Sequence, residues 1–312
     1  MQGSLSRFGP ELALTASVVL ILLGDLLLRQ RSGRRAALLV LALLGVAAAA
    51  VALVLLPAGD RGLFSGMIVN DGLARYGKGI FLCATALAVT FGAVSTEIPE
   101  ERYGEYLLLL LSLALGLCLL AASRHLLMLY LSLELVSLPS YVLAGFRRGD
   151  RRSSEAALKY VVYGGAASGV MLYGFSLLYG LTGTLDLAHL GPAVTAVAEA
   201  SGSGLFVLVA AFILSLAGFA YKISAVPFHL WCPDVYEGAP TPFTAFLSVG
   251  PKAAGFLALL RFGWSAFGGP AGWHAPEGLP WPALLGALSV ATMTLGNLVA
   301  IGQNNVKRLL AY

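Results

Sequence analysis

The sequence predicts an all-α polytopic membrane protein, and three observations carry the prediction. Apolar residues make up 58% of its 312 residues and charged residues 12%, whereas a soluble domain keeps about 25% of its residues charged. The mean hydropathy is +0.82. The apolar residues also gather into runs long enough to cross a hydrocarbon core about 30 Å thick at about 1.5 Å per helical residue. These runs cover 11–28, 36–56, 78–96, 105–122, 124–146, 156–181, 204–229, 241–263 and 282–302. They predict nine spanning helices, with a tenth beginning at Asn304.

The first run reads as a retained helix and not as an export signal, because its basic cluster, Arg29, Arg31, Arg34 and Arg35, follows the apolar segment instead of preceding it. Positive charge concentrates on cytoplasmic loops, so this cluster sets the N-terminus outside and assigns every later loop by parity. Arg102, Arg147, Arg148, Arg151, Arg152, Lys307 and Arg308 then fall inside as well, and Arg7, Arg61, Arg75, Lys78, Arg124 and Arg261 fall outside. The net charge of +4 thus reflects topology, and no basic patch interleaved with aromatics suggests nucleic acid. Cys83, Cys118 and Cys232 have no CxxC spacing and the histidines are scattered, so the cysteines read as packing residues and neither a metal site nor a disulfide framework is expected. No phosphate-binding glycine loop or Ser-His-Asp pattern is present. Any redox group or nucleotide is expected in other chains.

Glu134, Lys159, Lys222 and Lys252 lie inside the apolar runs. Each charge at the centre of a spanning helix costs about 2.5–3.5 kcal/mol on insertion scales, so such residues mark ion paths by default. In the fifth run Tyr130, Glu134, Ser137 and Tyr141 share one helical face, and Pro139 deprives the Leu135 carbonyl of its donor. In the seventh, Pro227 stands in the same relation to Lys222 as Pro139 does to Glu134, with Ser224 and His229 beside it. A helix broken next to a charge is how transporters admit water and ions at mid-membrane. Thr244, Ser248 and Lys252 share a face of the eighth, with Pro251 just before the lysine, which suggests a third hydrated site. Lys159 lies about one turn into the sixth run and has two readings, path residue or a side chain snorkelling to the cytoplasmic interface. Burial and pairing push a carboxyl and an amine in opposing directions, so Glu134 and the lysines suit proton handling; a static ion pair that orients helices is the other reading. Gly165 and Gly169 form a GxxxG expected to pack helices. Asp25 is expected to pair with the nearby arginines, and Glu97, Glu100, Glu101 and Glu105 to form a solvated inner loop or a docking surface.

The stretches LYLSLELVSLPSYVLAGF (129–146), EAALKYVVYGGAASG (155–169), YKISAVPFHLWCPDVYEGAPTPFTAFLSVGPKAAGF (221–256) and GNLVAIGQNNVKRLLAY (296–312) closely resemble the N subunits of bacterial NADH-quinone oxidoreductase, respiratory complex I, and their mitochondrial counterpart, NADH dehydrogenase subunit 2. The resemblance implies an antiporter-like helix bundle with a broken seventh helix and about nine to ten helices within this sequence. It divides the chain into helices one to three (1–104), a first antiporter-like repeat of helices four to eight (105–264), and the start of a second (265–312). Carried over by motif, Glu134 is the fifth-helix glutamate that pairs with the seventh-helix lysine, Lys222. Lys252 is the eighth-helix lysine that passes the proton to the central axis, Lys159 a sixth-helix lysine of the same path, and His229 a lesser participant at the break.

The implied protein is a proton-translocating membrane-arm subunit of a bacterial plasma membrane complex that couples NADH oxidation by quinone to proton export. It would hold no cofactor itself; NADH, flavin, iron–sulfur clusters and quinone belong to other subunits. The implied partners are antiporter-like neighbours, small membrane subunits and the bilayer. Such subunits usually have about fourteen helices, so the sequence is expected to be a fragment of a longer product or a truncated form, the latter unable to complete the exit half-channel. A subunit of a multisubunit cation/proton antiporter or membrane-bound hydrogenase would share these features, although the PDVYEGAPTP loop (233–242) favours the N subunit. A non-pumping scaffold is the remaining reading.

Overall fold

The computed structural model describes residues 7–29, 31, 33–57, 62–200, 202–269, 272–273 and 281–312. Arg61, assigned to an outer loop above, lies outside them, as do residues 270–271 and 274–280 of the segment 265–312. In chain order the helices are α1 (Gly9–Leu27), α2 (Arg34–Val54), α3 (Gly72–Val94), α4 (Tyr103–Ala122), α5 (Leu126–Ala144), α6 (Arg151–Thr182), α7 (Leu187–Ala200), α8 (Gly202–Ile223), α9 (Cys232–Gly238), α10 (Thr241–Phe267), α11 (Trp281–Ile301) and α12 (Val306–Ala311). A two-residue antiparallel ladder, β1 (Gly268–Gly269) with β2 (Gly272–Trp273), follows α10. Among the described residues, nine helices are long and apolar enough to cross a membrane, one for each apolar run, and α7, α9 and α12 are the short ones.

Local chemistry sets the helix ends. Asp71 caps α3 by accepting from Ala74 N at 2.8 Å, and Asp150 caps α6 by accepting from Arg152 N at 2.9 Å, each satisfying a first-turn amide. Gly183 closes α6 at φ 68, the left-handed conformation that a residue without Cβ adopts freely.

Helix α4 is surrounded by α1, α3, α5 and α10. It is apolar on every side, as a helix enclosed by protein must be, and Tyr103, Tyr106, Leu107, Leu110, Leu111 and Leu113 are fully buried. Helix α6 lies against α8 on one side and α5 on the other. By contrast α11 turns its apolar side chains outward, as suits contact with lipid or further protein.

Three basic residues assigned to the outer side are inside helices, Arg75 and Lys78 in α3 and Arg261 in α10. Lys78 sits six residues into α3, fully buried, with its Nζ 2.6 Å from Glu11 Oε1 of α1 and a hydrogen bond to Asn70 Oδ1. Arg261 of α10 forms a two-pronged pair with Asp71 at 2.7 and 2.8 Å and donates to the Ala121 carbonyl at 2.9 Å. A helix accommodates a buried charge that finds an opposite partner, as Lys78 and Arg261 both do. Burial pushes the Asp71 carboxyl up, but Arg261 outweighs it and holds the group below the usual range. Asp25 pairs with Arg34 at 2.5 Å, as expected. Glu97 does more than face water: its Oε2 accepts from Thr241 N at 2.5 Å at the start of α10, and Arg147 lies 3.6 Å away. The expectation that Gly165 and Gly169 pack helices within this chain fails, because a Cβ at either would meet nothing within 4 Å. The motif specifies a spacing but not which side of the helix faces the bundle.

Candidate functional site

The seventh span breaks where Pro227 places it. Helix α8 stops at Ile223, Ser224 takes φ 59, the Val226–Pro227 bond is cis, and the chain resumes helix only at Cys232. Neighbours take up backbone groups around the break. Ala225 N reaches the Ala220 carbonyl at 2.8 Å, Trp231 Nε1 donates to the Tyr221 carbonyl at 3.2 Å, and Val226 N donates to Thr292 Oγ1 of α11 at 3.0 Å. Helix α5, by contrast, continues through Pro139.

Lys222, on the last turn of α8, is 3% exposed, and its Nζ donates to Ser137 Oγ of α5 at 3.0 Å. Glu134 stands one turn earlier on α5 and accepts a hydrogen bond from Ser168 Oγ of α6. The expected direct pairing of Glu134 with Lys222 is therefore replaced by two hydroxyl contacts, one to each charge. The shared face of α5 is as predicted, since Ser137 and Tyr141 are both buried. Gly255 of α10 makes room for the lysine: a Cβ there would lie 3.2 Å from Lys222 Cβ and Cγ and 2.9 Å from Ile223 Cγ2. Gly164 of α6 gives space for the Tyr141 and Tyr221 hydroxyls.

Lys252 lies eleven residues into α10, about 16 Å along its axis. Its Nζ is 3.5 Å from Cys232 Sγ and 5.1 Å from the centre of the Tyr236 ring, both on α9. Thr244 is buried and donates to the Pro240 carbonyl at 3.1 Å, but Ser248 faces outward and bonds the Ala245 carbonyl at 2.7 Å. The three-residue hydrated face predicted on this helix thus does not form around Lys252. An aromatic group packs beside the break. Tyr160 stacks on Trp231 at 4.4 Å, Tyr141 meets Tyr160 edge-on at 4.8 Å, and the Tyr221 hydroxyl donates to the Tyr160 carbonyl at 3.0 Å. Tyr221 precedes Lys222 and Trp231 precedes Cys232, so this stack ties together the two sides of the break.

Lys159 is held away from the other lysines, with its Nζ 2.5 Å from Asp234 Oδ2 and 2.7 Å from Glu155 Oε1. It is an ion-paired, part-exposed residue in the first third of α6. His229 lies in the break, its Nδ1 buried without a hydrogen-bond partner and its ring 6.2 Å from that of Tyr312. Sequence reasoning missed Ser168, Gly164, Gly255 and Asp234. Gly164 and Ser168 are four residues apart and so share a face of α6, which was the available signal for the first two.

A buried lysine at the break of one spanning helix, with Glu134 and Lys252 half-buried on neighbouring helices, places the site inside a polytopic helical membrane bundle. A family model described as "NADH:quinone oxidoreductase/Mrp antiporter, TM" matches residues 123–312, and the chain belongs to that family. It is 51% identical to the NADH-quinone oxidoreductase subunit N of Anaeromyxobacter sp. (strain Fw109-5) over 98% of this chain and 61% of the relative. It is 47% identical to subunit N 2 of Sorangium cellulosum (strain So ce56) over 99% and 62%. A solved chain of respiratory complex I from Thermus thermophilus with bound aureothin is 34% identical, with a TM-score of 0.76, over 97% of this chain and 61% of that one. A chain of the Mrp complex from Dietzia sp. DQ12-45-1b has a TM-score of 0.73 at 24% identity over 96% and 56%, a likeness of fold. The chain therefore spans about three fifths of the length of the relatives it matches.

Proposed function

We propose that this chain acts in a proton-translocating membrane-arm subunit of NADH-quinone oxidoreductase, with Glu134, Lys222 and Lys252 carrying the proton, His229 at the break and Lys159 at its inner edge. The observation that carries this reading is Lys222: a buried amine at a helix break, bound to a neutral hydroxyl, with a carboxylate one turn away on the facing helix. An amine held by a hydroxyl can exchange its proton with water entering at the break without first leaving a salt bridge. NADH oxidation by quinone would take place in other subunits, which hold the flavin, iron–sulfur clusters and quinone, and would act on Lys222 and Glu134 through charge. The partners are the neighbouring antiporter-like and small membrane subunits.

In this reading residues 105–264 form the first antiporter-like repeat, after the helices of 1–104, and residues 265–312 open the second. The basic clusters Arg29 to Arg35 and Arg147 to Arg152 support an N-terminus on the outer side of the bacterial inner membrane. The test is Lys222→Ala in the native complex, purified from membranes and returned to vesicles. We expect an assembled complex that oxidises NADH but moves fewer protons per electron. Undiminished pumping would overturn the role of Lys222, and co-purification with antiporter subunits alone would move the function to cation/proton exchange.

A further inference from the structure

Helix α9 is only seven residues long, too short to be stable through its own backbone hydrogen bonds. Charge holds it. Asp234 gives one carboxylate oxygen to each of two cations: Oδ2 lies 2.5 Å from Lys159 Nζ of α6, and Oδ1 lies 2.5 Å from Arg308 Nη1 of α12. One turn further on, Glu237 divides itself in the same way, with Oε1 3.1 Å from Arg152 Nη1 of α6 and Oε2 3.1 Å from Arg308 Nη1. Lys307 Nζ adds a bond to the Ala239 carbonyl at 2.9 Å. The charged side chains of α6, α9 and α12 surround a cleft of about 150 Å³ lined by Arg152, Glu155, Ala156, Asp234, Glu237 and Arg308. Burial pushes the Asp234 carboxyl up, but Lys159 and Arg308 outweigh it and hold the group ionised below the usual range.

The same two turns of helix carry Cys232 and Tyr236, the contacts of Lys252. What fixes α9 therefore fixes the surroundings of Lys252. Isolated exposed ion pairs contribute little, but Asp234 is shared. Without its charge, Lys159 and Arg308 would be left as neighbouring like charges, each having lost a partner.

We propose that Asp234 is a positioning residue: it latches α9 between Lys159 of α6 and Arg308 of α12 and so holds Cys232 and Tyr236 against Lys252. The latch stands on its own geometry, and only its consequence for proton movement rests on the function proposed above. Lys159 then acts on the path through α9, as a holding cation. The two halves of the latch come from distant parts of the chain, so a shift of α12 would reach Lys252 through Asp234.

The experiment uses the native complex in a Cys83→Ser, Cys118→Ser background, leaving Cys232, which is 1% exposed, as the thiol of this chain to be labelled by N-ethylmaleimide. Asp234→Asn should raise the labelling rate of Cys232 at least fivefold and lower the protons moved per NADH oxidised, with NADH oxidation itself retained. Asp234→Glu should return both readouts toward the parent. If Asp234→Asn does not accumulate in the complex, Arg308→Gln carries the same test. Unchanged labelling overturns the latch, and faster labelling with an unchanged proton count overturns its link to Lys252. A parent complex that oxidises NADH without pumping would sink the proposed function while leaving the labelling result to decide the latch.

Discussion

Glu11 of α1 and Lys78 of α3 face each other at 2.6 Å with neither side chain exposed. Removing one partner from such a pair leaves an uncompensated buried charge, which typically costs about 3–5 kcal/mol, whereas replacing both by apolar residues is often nearly neutral. We expect Glu11→Leu or Lys78→Met alone to destabilise the purified protein by about 3–5 kcal/mol, and the double substitution to recover most of that loss. Thermal unfolding of the four proteins in detergent measures it. Additive losses would mean that the two side chains act independently.

Ser137 is the hydrogen-bond partner of Lys222, so its hydroxyl, and not direct contact with Glu134, sets where the amine rests. A hydrogen bond to a charged group contributes about 1.5–3 kcal/mol, and about 1.4 kcal/mol corresponds to a tenfold rate. Ser137→Ala is expected to slow proton movement about tenfold or more while leaving assembly intact, and Ser137→Thr to retain most of it. The readout is the rate of acidification of vesicles per NADH oxidised. Equal rates in the parent and Ser137→Ala would show that Lys222 finds another partner.

The nine spans were legible because each is an apolar run of sufficient length, and Glu134, Lys222 and Lys252 because a charge inside such a run has no local explanation. The break at Pro227 was legible for the same reason that the continuity at Pro139 was not: proline removes one hydrogen bond, and the surrounding packing decides whether the helix tolerates the loss. Apart from Asp25 with Arg34, side-chain partners were illegible. Ser137, Ser168, Cys232 and Asp234 meet their charges only through the packing of one helix on another. Helix α7 went unseen because it is short and lies between two long apolar runs.

Gly255 lies against Lys222, and a methyl group there would stand 2.9 Å from Ile223 Cγ2 and 3.2 Å from Lys222 Cβ. Both neighbours are at the last turn of α8, next to the break, where the backbone can move more easily than in mid-helix. Overpacking of this kind costs about 1–3 kcal/mol. Gly255→Ala is expected to lower stability by about that amount and to reduce pumping by pushing Lys222 from Ser137, whereas Gly165→Ala, which meets open space, should do neither. Equal behaviour of the two variants would remove the close approach as a functional constraint.

Acid should loosen the ends of the bundle before its centre. In Asp71, burial raises the carboxyl pKa but Arg261 outweighs it; in Glu97, burial is outweighed by the Thr241 amide with Lys307 and Arg147; both groups end below their usual values. A carboxyl held low in the folded state stabilises it fully above the unfolded value, about 4, and loses that contribution as pH falls through the folded value. The melting temperature of the purified protein is therefore expected to be flat down to about pH 5 and to fall from about pH 4 downward. Asp71→Asn should lower the melting temperature at neutral pH, since Arg261 loses its charged partner, and should make the acid decline shallower. If the decline were as steep in Asp71→Asn as in the parent, the Asp71 and Arg261 pair would not contribute to acid sensitivity.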